Sequence, residues 1–100
     1  MVYQDSQGRD VKSLLRKLLS GYQLYFDRHG VLNSDGRRLL NEIIRLLVYE
    51  YPELKPLAKK VRKNPTLSNV VKLAEVFMDI NEVRELMEIG IYGPYTYSED

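Results

Sequence analysis

At 100 residues, 44% of them hydrophobic and 29% charged, the chain falls in the single-domain size range and is long enough to bury about two thirds of its unfolded surface. It has no cysteine, which excludes a disulfide framework, a thiolate metal site and a cysteine nucleophile together. The formal charge of +1 conceals a split, because residues 1–72 carry 14 Lys/Arg against 7 Asp/Glu whereas residues 73–100 carry 1 against 7.

Such an asymmetry fits an anion-binding face, an acidic interaction tail, or two surfaces that pair within or between copies. The first ten residues are polar and lack the apolar core of a secretory signal. No stretch approaches the roughly 18 apolar residues that cross a bilayer. The expectation is a soluble, cytoplasmic chain without membrane contact. Residues 1–9 read as a polar N-terminal arm, residues 10–90 as a single helical domain and residues 91–100 as a Tyr-rich acidic tail.

From Val11 the apolar positions Val11, Leu15, Leu18, Tyr22 and Tyr25 recur at intervals of four and three, with Leu14, Leu19 and Phe26 widening the stripe. This is the pattern of an amphipathic helix, with Asp10 as its N-cap and Gly30 as its stop. Asn33 or Ser34 caps a second helix that runs to about Tyr49, and Asp35 suits its positive end. Leu39, Leu40, Ile43, Ile44, Leu46, Leu47 and Val48 cover about half of that helix at 100° per residue, so it packs on more than one side. The short connection makes the first two helices an antiparallel hairpin.

Pro52 and Pro56 punctuate the next segment, and a third helix is expected from about Pro56 to Lys63. Asn64-Pro65 breaks it and opens a fourth helix over residues 65–80, apolar around most of its circumference and therefore central. Asn81 is read as the cap of a fifth helix ending near Ile89, after which Gly90, Gly93 and Pro94 end regular structure. No strand pattern is present. The fold class is all-α, a compact bundle of about five helices with a Tyr-rich irregular C-terminal tail.

Candidate anion or nucleic-acid contacts fall in two groups. Lys55, Lys59, Lys60, Arg62 and Lys63 crowd one helix, with Lys55, Lys59, Arg62 and Lys63 within about 100° of one another. Four of them, Lys59, Lys60, Arg62 and Lys63, lie in the last two turns of that helix, where they also complement the macrodipole at roughly 0.3 to 1 kcal/mol each. Arg37 and Arg38 stand in the first turn of the second helix, where positive charge is disfavoured, and with Arg28 and His29 they would form a cationic tip. Neutralisation by Asp27, Asp35 or Glu42 is the folding explanation.

The same loop is a near miss to a calcium-binding EF-hand. With Val31 as position one, Asn33, Asp35, Gly36 and Glu42 fall where ligands and the glycine are needed, but Val31 replaces the first carboxylate and two arginines oppose a cation. No metal or other cofactor is therefore expected. Catalysis has little support, since the single His29 has no second His, no Cys and no Gly-flanked Ser to work with.

Tyr92, Tyr95 and Tyr97 interleave with turn formers in a tail ending in Glu99 and Asp100, a composition that suits protein contact better than phosphate contact. The sequence thus points to a non-catalytic small helical module for protein interaction or self-assembly. Its partner is another protein or a second copy, and the alternative is a nucleic-acid-binding subunit making sequence-independent phosphate contacts through its basic helices.

Overall fold

A computed structural model of the chain describes residues 10–99, with side chains described to Ile89. Six helices follow one another: α1 Val11–Ser20, α2 Tyr22–Tyr25, α3 Ser34–Glu50, α4 Lys55–Lys63, α5 Leu67–Ala74 and α6 Ile80–Glu99. The architecture is the expected all-α bundle, opened by a helical hairpin in which α1 packs on α3. No helix among the described residues is long and apolar enough to cross a membrane.

Asp10 caps α1 as expected, accepting the Ser13 N–H at 2.7 Å. Val11, Leu14, Leu15, Leu18 and Leu19 are buried, which is the predicted stripe. The helix does not run on to Gly30. It breaks at Gly21, where a side chain would meet the Tyr25 ring at 3.2 Å and the Lys17 carbonyl at 3.3 Å, and the single turn α2 closes with extended Phe26.

Residues 26–32 then form a tight turn held by antiparallel bridges from Phe26 to Leu32 and from Val31 to Thr66. The second bridge is built from the Leu32 N–H on the Pro65 carbonyl at 2.9 Å and the Leu67 N–H on the Gly30 carbonyl at 2.8 Å. Two connections far apart in sequence are thereby fastened side by side. Such a bridge leaves no alternating pattern to read, because it is one residue long on each side.

Asn33 caps α3, accepting the Gly36 N–H at 2.8 Å, while its amide donates to the Leu24 carbonyl at 2.8 Å. Leu39, Leu40, Ile43, Ile44 and Leu47 are buried along this helix. A 3₁₀ turn at Pro52–Leu54 precedes α4, which begins one residue before the expected Pro56. Pro56 is tolerated in the first turn, where its missing N–H would have had no intrahelical partner. α4 ends at Lys63 as expected and buries Ala58 and Val61.

The expected fourth helix over residues 65–80 is shorter at both ends. Thr66, not Pro65, is the boundary, its hydroxyl accepting the Asn69 N–H at 3.2 Å, because the Pro65 carbonyl is taken by the bridge. At the other end the chain tightens after Ala74, with the Val76 and Phe77 N–H groups bonding the carbonyls three residues back. Asp79 takes the capping role assigned to Asn81, accepting the Glu82 N–H at 2.8 Å, and α6 starts at Ile80.

α6 continues to Glu99, beyond the stop read at Gly90, although Pro94 brings no N–H to bond the Gly90 carbonyl. The polar arm 1–9 lies outside the described residues. So do the side chains of Tyr92, Tyr95 and Tyr97. A single cluster of buried apolar side chains, from Val11 to Leu86, joins α1, α3, α4, α5 and α6.

Candidate functional site

The loop between α2 and α3 is built around Asp27. Its Oδ1 accepts the His29 N–H at 2.8 Å and the Val31 N–H at 3.1 Å, and its backbone closes the turn through the Gly30 N–H at 3.0 Å. The Val31 N–H foremost holds the Asp27 carboxyl below its ordinary pKa; desolvation, the next-largest effect, opposes it, and the His29 N–H and the charges of His29 and Arg28 lower it further. The turn requires φ +77° at Gly30, a conformation that glycine adopts without steric cost.

The expected cationic tip is divided by this loop. Arg28 lines a shallow depression with Asp27, Phe26 and Leu67. Arg38 lines a separate one with Lys17, Asp35 and Glu42. Each depression holds a carboxylate beside its cation. Arg37 donates from Nε to the Leu32 carbonyl at 3.3 Å, and Arg38 reaches Asp35 at 3.4 Å with both side chains more than two-thirds exposed. The pair at Arg38 is worth little in such solvent, but both arginines have partners inside the fold.

The EF-hand register fails on geometry. Asn33 spends its oxygen on the α3 N-terminus, and residues 34–42 are helical instead of forming a ligand loop. Gly36 is buried, and a Cβ there would lie 2.5 Å from both the Tyr25 carbonyl oxygen and a Leu32 methyl. This glycine serves packing. Among the described residues no group of three or more His, Asp or Glu is placed to hold a metal ion.

The basic stretch is brought together. Lys59, Lys60, Arg62 and Lys63 line an open groove with Pro56, and Lys55 stands exposed at the start of α4. Among the described residues no carboxylate reaches ion-pair distance of any of these five cations. Lys60, Arg62 and Lys63 occupy the last turn, where the helix dipole favours them. The opposite charge gathers on α6, where Glu82 pairs with Arg16 of α1 while Glu85 and Glu88 stand exposed.

A third surface was not legible in the sequence. Tyr51 meets Phe77 edge-on, with ring centroids 5.3 Å apart and planes at 65°. Beside Phe77, Val76 is 48% exposed, and Ile80 at the start of α6 is 46% exposed. Tyr49, in the last turn of α3, is the most exposed large apolar side chain among the described residues, at 86%. Val76 and Ile80 read as core because they continue the apolar pattern of α5, and the turn at residues 75–78 rotates them outward. Asp79 with Glu82 three residues later, an Asp-x-x-Glu start signal, was the clue to that turn.

These features define an all-α bundle with charged and apolar surfaces. No family model, no curated protein and no solved structure matches the chain.

Proposed function

We propose that the chain is a non-catalytic helical module that associates with itself or docks on a protein partner. The edge-on pair of Tyr51 and Phe77, with exposed Val76 and Ile80 flanking Phe77 in sequence, carries this reading. Single exposed apolar residues are ordinary on a protein surface, but an aromatic pair with two half-exposed β-branched neighbours concentrates apolar area where contact surfaces need it. The edge-on ring pair also fixes Tyr51 in place, so a partner meets a preorganised surface. The test is light scattering across a concentration series, with Val76→Ser/Ile80→Ser beside the wild-type chain. The double variant is expected to keep its helical circular dichroism and to lose association. Unchanged association would remove this surface from the proposal.

The groove of α4 favours a second reading, sequence-independent contact with nucleic-acid phosphates through Lys55, Lys59, Lys60, Arg62 and Lys63. It is the weaker of the two, because Lys60, Arg62 and Lys63 stand in the last turn of α4, where the helix dipole repels anions. Binding to a mixed-sequence oligonucleotide that weakens steeply with salt would support it. No binding at low ionic strength rules it out.

A further inference from the structure

We infer that the basic face of α4 and an acidic stripe of α6 are the two halves of one head-to-tail contact between copies of this chain. The inference rests on the self-association half of the proposed function and gives it a geometry. On α4, Lys55, Lys59, Arg62 and Lys63 follow at intervals of four, three and one, so they share one exposed stripe. On α6, Asn81, Glu85, Glu88 and Ile89 repeat those intervals, and all four are exposed. At a helical rise of about 1.5 Å per residue, Lys59 to Arg62 and Glu85 to Glu88 each span about 4.5 Å along the axis. Two carboxylates on one helix can therefore meet two cations on the other in register.

Neither stripe is neutralised by another described residue. Among the described residues, Glu85 and Glu88 pair with no cation and the four α4 cations pair with no carboxylate. Arg84, at the edge of the acidic stripe, donates to Asn81 at 3.3 Å, and Glu82 is held by Arg16. The fold also keeps the stripes apart, since α4 packs on α3 and α5 whereas α6 packs on α1 and α2. Complementary patches at different places on one molecule make a heterologous contact, which propagates into a ring or a filament instead of closing as a two-fold dimer.

Apolar area accompanies the charges, with Ile89 55% exposed on the acidic stripe and Pro56 exposed among the lysine stems of the groove. A phosphate polymer would engage the same cations while leaving Glu85, Glu88 and Ile89 without a role.

Two charge-reversed variants test the contact, Lys59→Glu/Arg62→Glu and Glu85→Lys/Glu88→Lys, each checked by circular dichroism. Light scattering of the wild-type chain at low salt should show a mass that climbs past the dimer with concentration and falls back at about 1 M salt, where screening reaches about 3 Å. Each variant alone should associate at least about tenfold more weakly. Mixed in equal amounts they should regain assembly past the dimer, since the acidic α4 of one variant meets the basic α6 of the other and their unaltered stripes still pair. Lys59→Gln/Arg62→Gln should weaken association like the reversal, which separates a lost contact from acids placed at a helix C-terminus. A mixture that does not assemble, while the wild-type chain does, overturns the inference. So does wild-type association that vanishes on nuclease treatment, which would assign the cations to a phosphate polymer. If only Val76→Ser/Ile80→Ser abolishes assembly, the contact proposed here is wrong and the apolar surface stands; a wild-type chain that stays monomeric defeats this contact and self-association together.

Discussion

Gly36 and Gly30 show how one residue type answers two demands. At Gly30 the demand is conformational, φ +77° with open space around the absent Cβ. At Gly36 the backbone is helical and the demand is steric, because the Tyr25 carbonyl and Leu32 fill the volume a methyl group would need. Gly36→Ala is therefore expected to destabilise the fold by about 1 to 3 kcal/mol, outweighing the gain of up to about 1 kcal/mol in helix propensity. Thermal unfolding should register this as a loss of about 4 to 8 °C per kcal/mol. Asp27 gives a residue-scale prediction in pH. Its folded pKa is lowered, so its contribution is present above the ordinary carboxylate value of about 3.9 and is lost as pH falls through the lower folded value. Urea midpoints of Asp27→Asn should lie below those of the wild-type chain at neutral pH and converge with them under acid conditions.

Elements were legible in proportion to how locally they are determined. Asp10 and Asn33 announce α1 and α3 because a cap is one side chain on a nearby N–H. Helix α5 was overread because Val76, Phe77 and Ile80 continue its apolar pattern, while the aromatic contact with Tyr51 that accompanies the turn comes from another element. The same limit hid the exposure of Val76 and Ile80, and it hid the bridge that removes Pro65 from the helix start. The charged stripe of α4 was legible because all its members lie within nine residues, whereas the division of the arginine tip depends on where Leu32 and Asp35 present their oxygens. Asn33 joins two elements at once, so Asn33→Ala should cost more than a cap alone, about 1 to 3 kcal/mol. Asn33→Asp keeps the acceptor for Gly36 and loses only the bond to Leu24, so denaturant unfolding should place it between the two.

At the scale of the whole molecule the question is what holds α6 to the bundle. Arg16 and Glu82 link α1 to α6, but their side chains are 49% and 28% exposed, and solvent screening reduces such a pair to about 0.2 to 1 kcal/mol. Val83 and Leu86 on the same helix are 2% and 6% exposed, and burial of this completeness dominates in magnitude. Leu86→Ala should therefore cost about 2 to 5 kcal/mol, whereas the Arg16–Glu82 coupling from a double-mutant cycle should stay under about 1 kcal/mol. A coupling as large as the Leu86 effect would mean that α6 is clamped by charge. The predicted order leaves the ion pair a different task. It neutralises Glu82 against α1, while the burial of Val83 and Leu86 turns Glu85 and Glu88 to solvent and to any cationic surface that meets them.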